Sequence, residues 1–362
     1  VKVREQLLDH PRPVREGEQL DTSKLLTYLR GKLPDLDGAI EVKQFPAGFS
    51  NLTYLLRIGE QEFVLRRPPF GAKIKTAHDM GREFLIISRL YPVFPKVPRP
   101  ILYCEDESIL GSPFYLMERV KGIILRARLP EGLVLSPEAM HSLSESFIVN
   151  LVEIHEVDYR AAGLGELGRS ESYVSRQIEG WTKRYYNART DDVPEIEKLA
   201  QWLAEHAPAD SGRALIHNDY KYDNVVFAPE DLSRVIAVLD WEMATVGDPL
   251  MDFGTALGYW VDMDDPEEWK QFGFGLTALP GNLNRRDLIE FYARLSGRDV
   301  GDAVFYFAYA LLKVAGIVQQ IYYRYRQGFT KDARFANLGL LVRACGNLAG
   351  RAIEKGRIDG LG

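Results

Sequence analysis

The sequence predicts an α+β chain of two lobes, a small antiparallel-sheet N-lobe over residues 1–118 followed by a larger, mainly helical C-lobe over 119–362. Three observations lead there. Short β-branched and aromatic runs separated by turn residues cluster between Ile40 and Glu118. Apolar spacing of three and four residues dominates from Ser136 onward. Between the helical stretches, a polar loop from His217 to Asn224 is bracketed by apolar runs too short for helices.

In the N-lobe, Asp21-Thr22-Ser23 reads as a helix cap, with Leu25, Leu26, Leu29 and Leu33 following on one face. Ile40–Phe45, Leu52–Ile58 and Gln61–Arg66 read as successive strands, the last two joined by a tight turn at Gly59-Glu60. A helix over His78–Leu90 and strands near Arg99–Cys104 and Phe114–Glu118 complete the lobe. Alternation puts Arg66 and Arg67 on opposite faces of their strand, so one of them is expected to meet solvent. Helices are expected over Ser136–His155, Glu171–Asn187, Glu195–His206, Asp287–Leu295, Ala303–Arg324 and Asn337–Lys355. The first dozen residues, with Pro11 and Pro13, suggest an extended arm.

At 362 residues the chain can bury a large core, and its formal net charge of −6 disfavours a nucleic-acid binder or a partner for anionic membranes. Cys104 and Cys345 are far apart, without metal-ligand spacing, so a reducing cytoplasm is the expected compartment. The apolar segment Tyr306–Val318, interrupted by Lys313, reads as too short to span a bilayer. Oligomeric state is not legible.

The chemistry is concentrated in His217-Asn218-Asp219-Tyr220-Lys221-Tyr222-Asp223-Asn224 and in Asp240, sixteen residues past Asn224. Val225–Phe227 and Val235–Leu239 read as a hairpin turning at Pro229–Ser233, which would carry Asn224 beside Asp240. Read singly, these are residues of polar turns. As a set they match phosphoryl transfer, which asks a protein mainly for positioning and charge neutralisation. Asp219 would orient an attacking hydroxyl, Lys221 would offset charge on the transferred group, and Asn224 and Asp240 would offer hard oxygen ligands to Mg2+. His217 and His155 read as packed scaffold residues.

These pieces, with Phe63–Pro69 and Leu239-Asp240-Trp241-Glu242 followed by Gly247–Asp252, resemble the aminoglycoside phosphotransferase and choline kinase group, which shares the protein-kinase-like fold. Within it the chain resembles most the kinase-like domains associated with acyl-CoA dehydrogenases. The resemblance implies ATP as phosphate donor, with GTP an alternative, and Mg2+ as cofactor. It implies a phosphate-covering loop at Pro46–Asn51, with Ser50 and Asn51 contributing hydrogen bonds, and a hinge at Met117–Gly122, containing Glu118, against the purine. Arg66 would stand where such folds place a strand Lys, paired with Glu83.

Protein kinases insert a long polypeptide-binding segment after the metal-binding Asp, whereas here Asp248 and Asp252 follow Asp240 almost at once, which favours a small-molecule hydroxyl as acceptor. Asp248 and Asp252 are expected to brace the catalytic loop. Glu242 reads equally as a metal partner or a nearby acid. Two aromatic and basic clusters, Trp181 to Tyr186 and Tyr322 to Arg326, are either amphipathic core faces or a cleft lining suited to a hydroxy acid or hydroxyacyl-CoA. An aminoglycoside or amino-alcohol kinase is the first alternative, and a catalytically silent nucleotide-binding scaffold the second.

Overall fold

The computed structural model describes residues 8–46, 51–70, 79–130, 132–168, 172–272, 276–330 and 332–362. Helix α1 (Thr22–Lys32) starts where Asp21 accepts the Lys24 amide and buries Leu25 and Leu29. β1 (Ile40–Gln44), β2 (Leu52–Ile58) and β3 (Gln61–Arg67) form an antiparallel meander. Gly59 turns β2 into β3 with φ +57°, and a Cβ there would sit 2.5 Å from the Asp37 carbonyl, so the turn requires glycine. α2 (Met80–Leu90), β4 (Pro100–Cys104), the short α3 (Glu107–Leu110) and β5 (Phe114–Glu118) follow. The finished sheet has the order β1-β2-β3-β5-β4, which makes β3 its central strand.

The two faces of that sheet enter different cores. Leu56, Phe63, Leu65, Phe114 and Leu116 pack with Leu25 and Leu29 of α1. Leu55, Val64, Tyr115 and Met117 join Ile86 and Ile87 of α2 in a second core that continues without a break into the helical half of the molecule. Both faces are therefore covered, and the expectation that Arg66 or Arg67 would be exposed is wrong. Arg66 is 8% and Arg67 2% accessible. Arg67 is roofed by the Phe70 ring, 3.6 Å from its guanidinium, and its Nε donates to the Pro68 carbonyl.

Beyond the sheet lie β6 (Ile123–Ile124), α4 (Pro137–His155), α5 (Tyr173–Ala188), α6 (Pro194–Glu205) and β7 (Ala214–Ile216). β8 (Val225–Phe227), β9 (Val235–Val238) and β10 (Thr245–Gly247) come next, with β6-β8-β9 forming one small sheet and β7-β10 another. The remaining elements are α7 (Pro249–Tyr259), α8 (Glu267–Lys270), α9 (Arg285–Ser296), α10 (Ala303–Arg326) and α11 (Leu338–Lys355). α10 corrects a second expectation. It runs 24 residues and is long and apolar enough, by length and composition, to cross a membrane, yet 78% of its apolar window is buried within the fold. Small residues let α7 approach it closely, since a Cβ on Gly258 would meet the Ala310 Cβ at 2.5 Å.

Toward the amino terminus the expected arm is present from residue 8. Arg12 bridges to Gln44 of β1, and the Tyr54 hydroxyl donates to the Glu18 carbonyl. Arg126 binds the Asp9 carboxylate at 2.7 Å.

Candidate active site

β7 delivers the chain into the polar loop, and β8 and β9 carry it out and back. Val225 pairs with Val238, and the Leu239 amide donates to the Asn224 carbonyl, so Asn224 and Asp240 emerge from neighbouring strand ends as the hairpin reading expects. Among the described residues three non-glycine positions have positive φ: Ser172, Asn218 and Asp240. Two of the three lie in this loop system. Such conformations cost on the order of 1–3 kcal/mol each and persist where surrounding structure over-determines them.

Asp219 is the centre of the arrangement. Lys221 Nζ donates to both its carboxylate oxygens at 3.0 and 2.8 Å, and Asn224 Nδ2 donates to Oδ2 at 2.9 Å. Burial pushes the Asp219 carboxyl up, but the Lys221 ammonium and its hydrogen bonds, with help from His217 and the Tyr259 hydroxyl, hold it below the usual carboxylate range. Burial likewise opposes the Lys221 charge, and Asp219 more than offsets it, so the ammonium is held firmly protonated. Lys221 also lies 4.7 Å from the centre of the Tyr259 ring. The result is a fixed carboxylate suited to accepting a hydrogen bond from a hydroxyl.

Asn224 spends both amide hydrogens on Asp219, one on the main-chain oxygen at 2.8 Å and one on Oδ2. The amide orientation is thereby set, and Oδ1 is left to act as an acceptor. Together with the Asp240 carboxylate this gives two hard oxygen groups. Among the described residues no group of three or more His, Cys, Asp or Glu is placed to hold a metal ion by itself. A two-group set suits Mg2+, which keeps waters and phosphate oxygens in its shell, better than it suits an ion needing an all-protein cage.

Arg66 reaches from β3 to the end of the β8–β9 hairpin. Its Nη2 donates to Asp240 Oδ1 at 2.8 Å, its Nε lies 3.5 Å from Glu83 Oε2, and Glu242 stands 3.8 Å away. The Glu83 contact is an ion pair without hydrogen-bond geometry, since both atoms lack a hydrogen-bond partner. Burial dominates over Arg66 in pushing the Glu83 carboxyl up, and Glu83 also takes bonds from the Tyr115 side chain and the Trp241 backbone. Asn51 donates to Glu242 at 2.6 Å, which ties the end of the β1–β2 loop to the turn after Asp240. Ser50 lies outside the described residues. The Glu118 side chain lies 3.5 Å from Arg99, and its amide donates to the Arg99 carbonyl.

Asn51, Arg66, Glu118, Asn224 and Asp240 line one cleft, partly open to solvent. Val64, Met117, Ile124 and Leu239 form an apolar slot, and Asn51, Arg66, Asn224 and Asp240 form its polar end. A slot of this kind fits a planar base with phosphates at the charged end. Asp219 and Lys221 lie just past that end, bonded to Asn224.

Of the two supporting carboxylates, Asp252 braces the catalytic loop as expected, whereas Asp248 bonds outside it, to Ser211 and its own helix. Asp252 accepts the amides of His217 and Asn218 at 2.7 and 2.6 Å, and His155 Nε2 is 3.1 Å away. Asp248 caps α7 and binds the Ser211 hydroxyl and amide. His217 is a scaffold group: Nε2 donates to the Leu239 carbonyl and Nδ1 accepts the Asp219 amide, while burial lowers its basicity and keeps the ring neutral. Arg82, Tyr259 and Lys313 are the contributors that the sequence did not single out. Arg82 donates to the carbonyls of Glu242 and Ala244, fixing the turn after Asp240. The 181–186 cluster is a core face with a solvated edge, with Trp181 and Tyr185 buried and Lys183, Arg184 and Tyr186 exposed; residues 322–326 are half-buried or exposed, and neither cluster lines the cleft.

With the geometry in view, the chain can be classed. A model for the phosphotransferase enzyme family matches residues 41–287, and the chain belongs to that family. It is 34% identical over 96% of its length to acyl-CoA dehydrogenase family member 10 of Mus musculus, and 36% identical over 87% to acyl-CoA dehydrogenase family member 11 of Gallus gallus. It spans only 33% and 41% of those proteins, so their other activities are not transferred to it. A Ralstonia eutropha structure provisionally described as an aminoglycoside phosphotransferase is 31% identical, with TM-score 0.77 over 93% of this chain and 99% of that one. Choline kinase from Cryptosporidium parvum shares the fold at TM-score 0.64 and 14% identity, over 94% and 98% of the two chains. A thermostable aminoglycoside phosphotransferase variant, in ternary complex with ADP and hygromycin B, does so at TM-score 0.55 and 16% identity, over 88% and 97%. The resemblance drawn from the sequence and the kinase-like fold class are both borne out.

Proposed function

We propose that this protein is a Mg2+-dependent kinase that moves the γ-phosphoryl group of ATP, with GTP an alternative donor, to a hydroxyl of a small metabolite. The observation that carries the reading is the meeting of Arg66, Asn224 and Asp240 at the polar end of one cleft, with Asp219 hydrogen-bonded to Asn224 just beyond it. The nucleotide base would lie in the apolar slot against the 117–122 backbone, and Arg66 would contact the phosphates. Asn224 Oδ1 and the Asp240 carboxylate would hold the magnesium, whose charge neutralises the phosphate oxygens.

The acceptor oxygen attacks the γ-phosphorus while the bond to the bridging oxygen of the departing nucleoside diphosphate breaks. Asp219 holds the acceptor O–H and takes its proton as the new P–O bond forms. A carboxylate kept below the ordinary range is a weak base, so its main contribution is orientation, with proton transfer late. Lys221, already bonded to Asp219, is placed to offset charge on the moving group.

The acceptor reading is a hydroxy acid or a hydroxyacyl-CoA. Its support is the kinship with chains named as acyl-CoA dehydrogenase family members. The test is an ADP-release screen across hydroxy acids, hydroxyacyl-CoAs, amino alcohols and aminoglycosides, with product mass showing the gain of one phosphate. Turnover confined to aminoglycosides would reverse the acceptor reading, and phosphate gain in no acceptor class would remove the kinase reading.

A further inference from the structure

Lys313 sits in the middle of α10 with 1% of its surface accessible, between Leu311, Leu312, Val314 and Ala315 of the core. An ammonium there is costly, and a leucine would pack without penalty. Nothing in the transfer chemistry above uses it. Its Nζ donates to the main-chain oxygen of Asn218 at 2.5 Å and lies 3.4 Å from Thr255 Oγ1 of α7, with the Trp181 ring of α5 5.9 Å away.

Asn218 immediately precedes Asp219 and has φ 65°, in the left-handed region. Its other polar groups are also engaged. The amide donates to Asp252 Oδ1 at 2.6 Å, Oδ1 accepts the Tyr173 hydroxyl at 3.2 Å, and Nδ2 donates to the Met243 carbonyl at 3.1 Å. The turn is thus clamped by a buried carboxylate on its donor side and a buried ammonium on its acceptor side.

We propose that Lys313 is a positioning residue for the transfer reaction: by holding the Asn218 carbonyl it fixes the left-handed turn that aims Asp219 at the acceptor. The inference rests on the kinase reading of the same site. Rotation of the Asn218–Asp219 peptide would swing the Asp219 carboxylate away from Lys221 and Asn224, and misplacement by about 1 Å can cost about 100-fold in rate. Lysine is suited to the task because its long stem crosses the α10–loop gap and its head carries three donors. Burial lowers the ammonium to about 8, against Asp252 and Asp219, which raise it, while Lys221 and Arg184 add to the lowering. The charge of Lys313 is therefore lost as pH rises through about 8.

The experiment uses the full chain with MgATP, reading ADP release with the best acceptor or with water, for wild type, K313M and K313R. The expected result for K313M is a kcat lower by about 10- to 100-fold with the ATP KM within about twofold, and partial recovery in K313R. Wild-type kcat should fall as pH rises through about 8, and the K313R profile should stay flat there. A folded K313M with wild-type kcat overturns the proposal, as does a crystal structure of K313M in which Asn218 and Asp219 are unmoved. If K313M does not fold, a folded K313A, whose side chain cannot reach the Asn218 carbonyl, with wild-type kcat overturns it. Absence of ADP release from the wild type with every acceptor would remove the kinase reading. The K313M crystal structure would then still decide whether Lys313 sets the turn.

Discussion

Arg66 and Asp240, 174 positions apart in the chain, share a hydrogen bond of 2.8 Å between the central strand of the sheet and the end of the β8–β9 hairpin. One guanidinium spans Asp240, Glu83 and Glu242 at once, which a lysine ammonium cannot do from the same stem. Arg66→Lys is therefore expected to raise the nucleotide KM by about tenfold, the equivalent of one charge-assisted hydrogen bond. Steady-state kinetics against ATP reads this directly, and an unchanged KM would mean that Arg66 does not touch the phosphates.

Asp219→Asn and Asp240→Asn should each abolish nucleotide-dependent transfer, with losses of about 100-fold or more, while circular dichroism and Tm stay near the wild type. Each exchange keeps side-chain volume. Turnover at the parental rate in both purified variants would defeat the assignment of the site.

Asp252 links chemistry to stability. Burial raises its carboxyl, but hydrogen bonds from the His155 ring and the His217 amide bring it below the ordinary value of 3.8. A carboxyl lowered in the folded state contributes stability that is fully present above its unfolded value and disappears as pH falls through the folded one. Urea unfolding should show stability dropping below about pH 4 in the wild type, with a flatter acid limb in Asp252→Asn. Identical acid limbs in the two proteins would contradict this.

Gly254 and Gly258 let α7 lie against α10. A Cβ at Gly254 would come within 2.7 Å of the Tyr306 Cβ and carbonyl oxygen. Gly254→Ala should destabilise by about 1–3 kcal/mol through overpacking, read as a lower urea midpoint. A midpoint equal to that of the wild type would show that the helices can separate without cost.

The loop from His217 to Asn224 was readable because its chemistry is contiguous, and Asp240 because one short hairpin connects it. Residues joined only through tertiary packing were not. Arg67 looks solvent-facing by alternation, and only the fold brings the Phe70 ring over its guanidinium. α7 escaped notice because every residue from Pro249 to Tyr259 is buried, which erases helical periodicity. The Asp248-Pro249 start was its available signal, a cap followed by proline at the first helical position. Lys313 read as an interruption in an apolar run, since only the fold reveals that its neighbour is the Asn218 carbonyl. The clusters at 181–186 and 322–326 carried no mark distinguishing cleft from core.

The core running from Val64 and Met117 into α4 and α10 has a practical corollary for anyone dividing this polypeptide. Severing it after Glu118 would strip water-excluding cover from both fragments, and each should aggregate when expressed by itself. A reporter or affinity tag is better inserted at the 229–233 turn, where Glu230, Asp231 and Ser233 already face solvent.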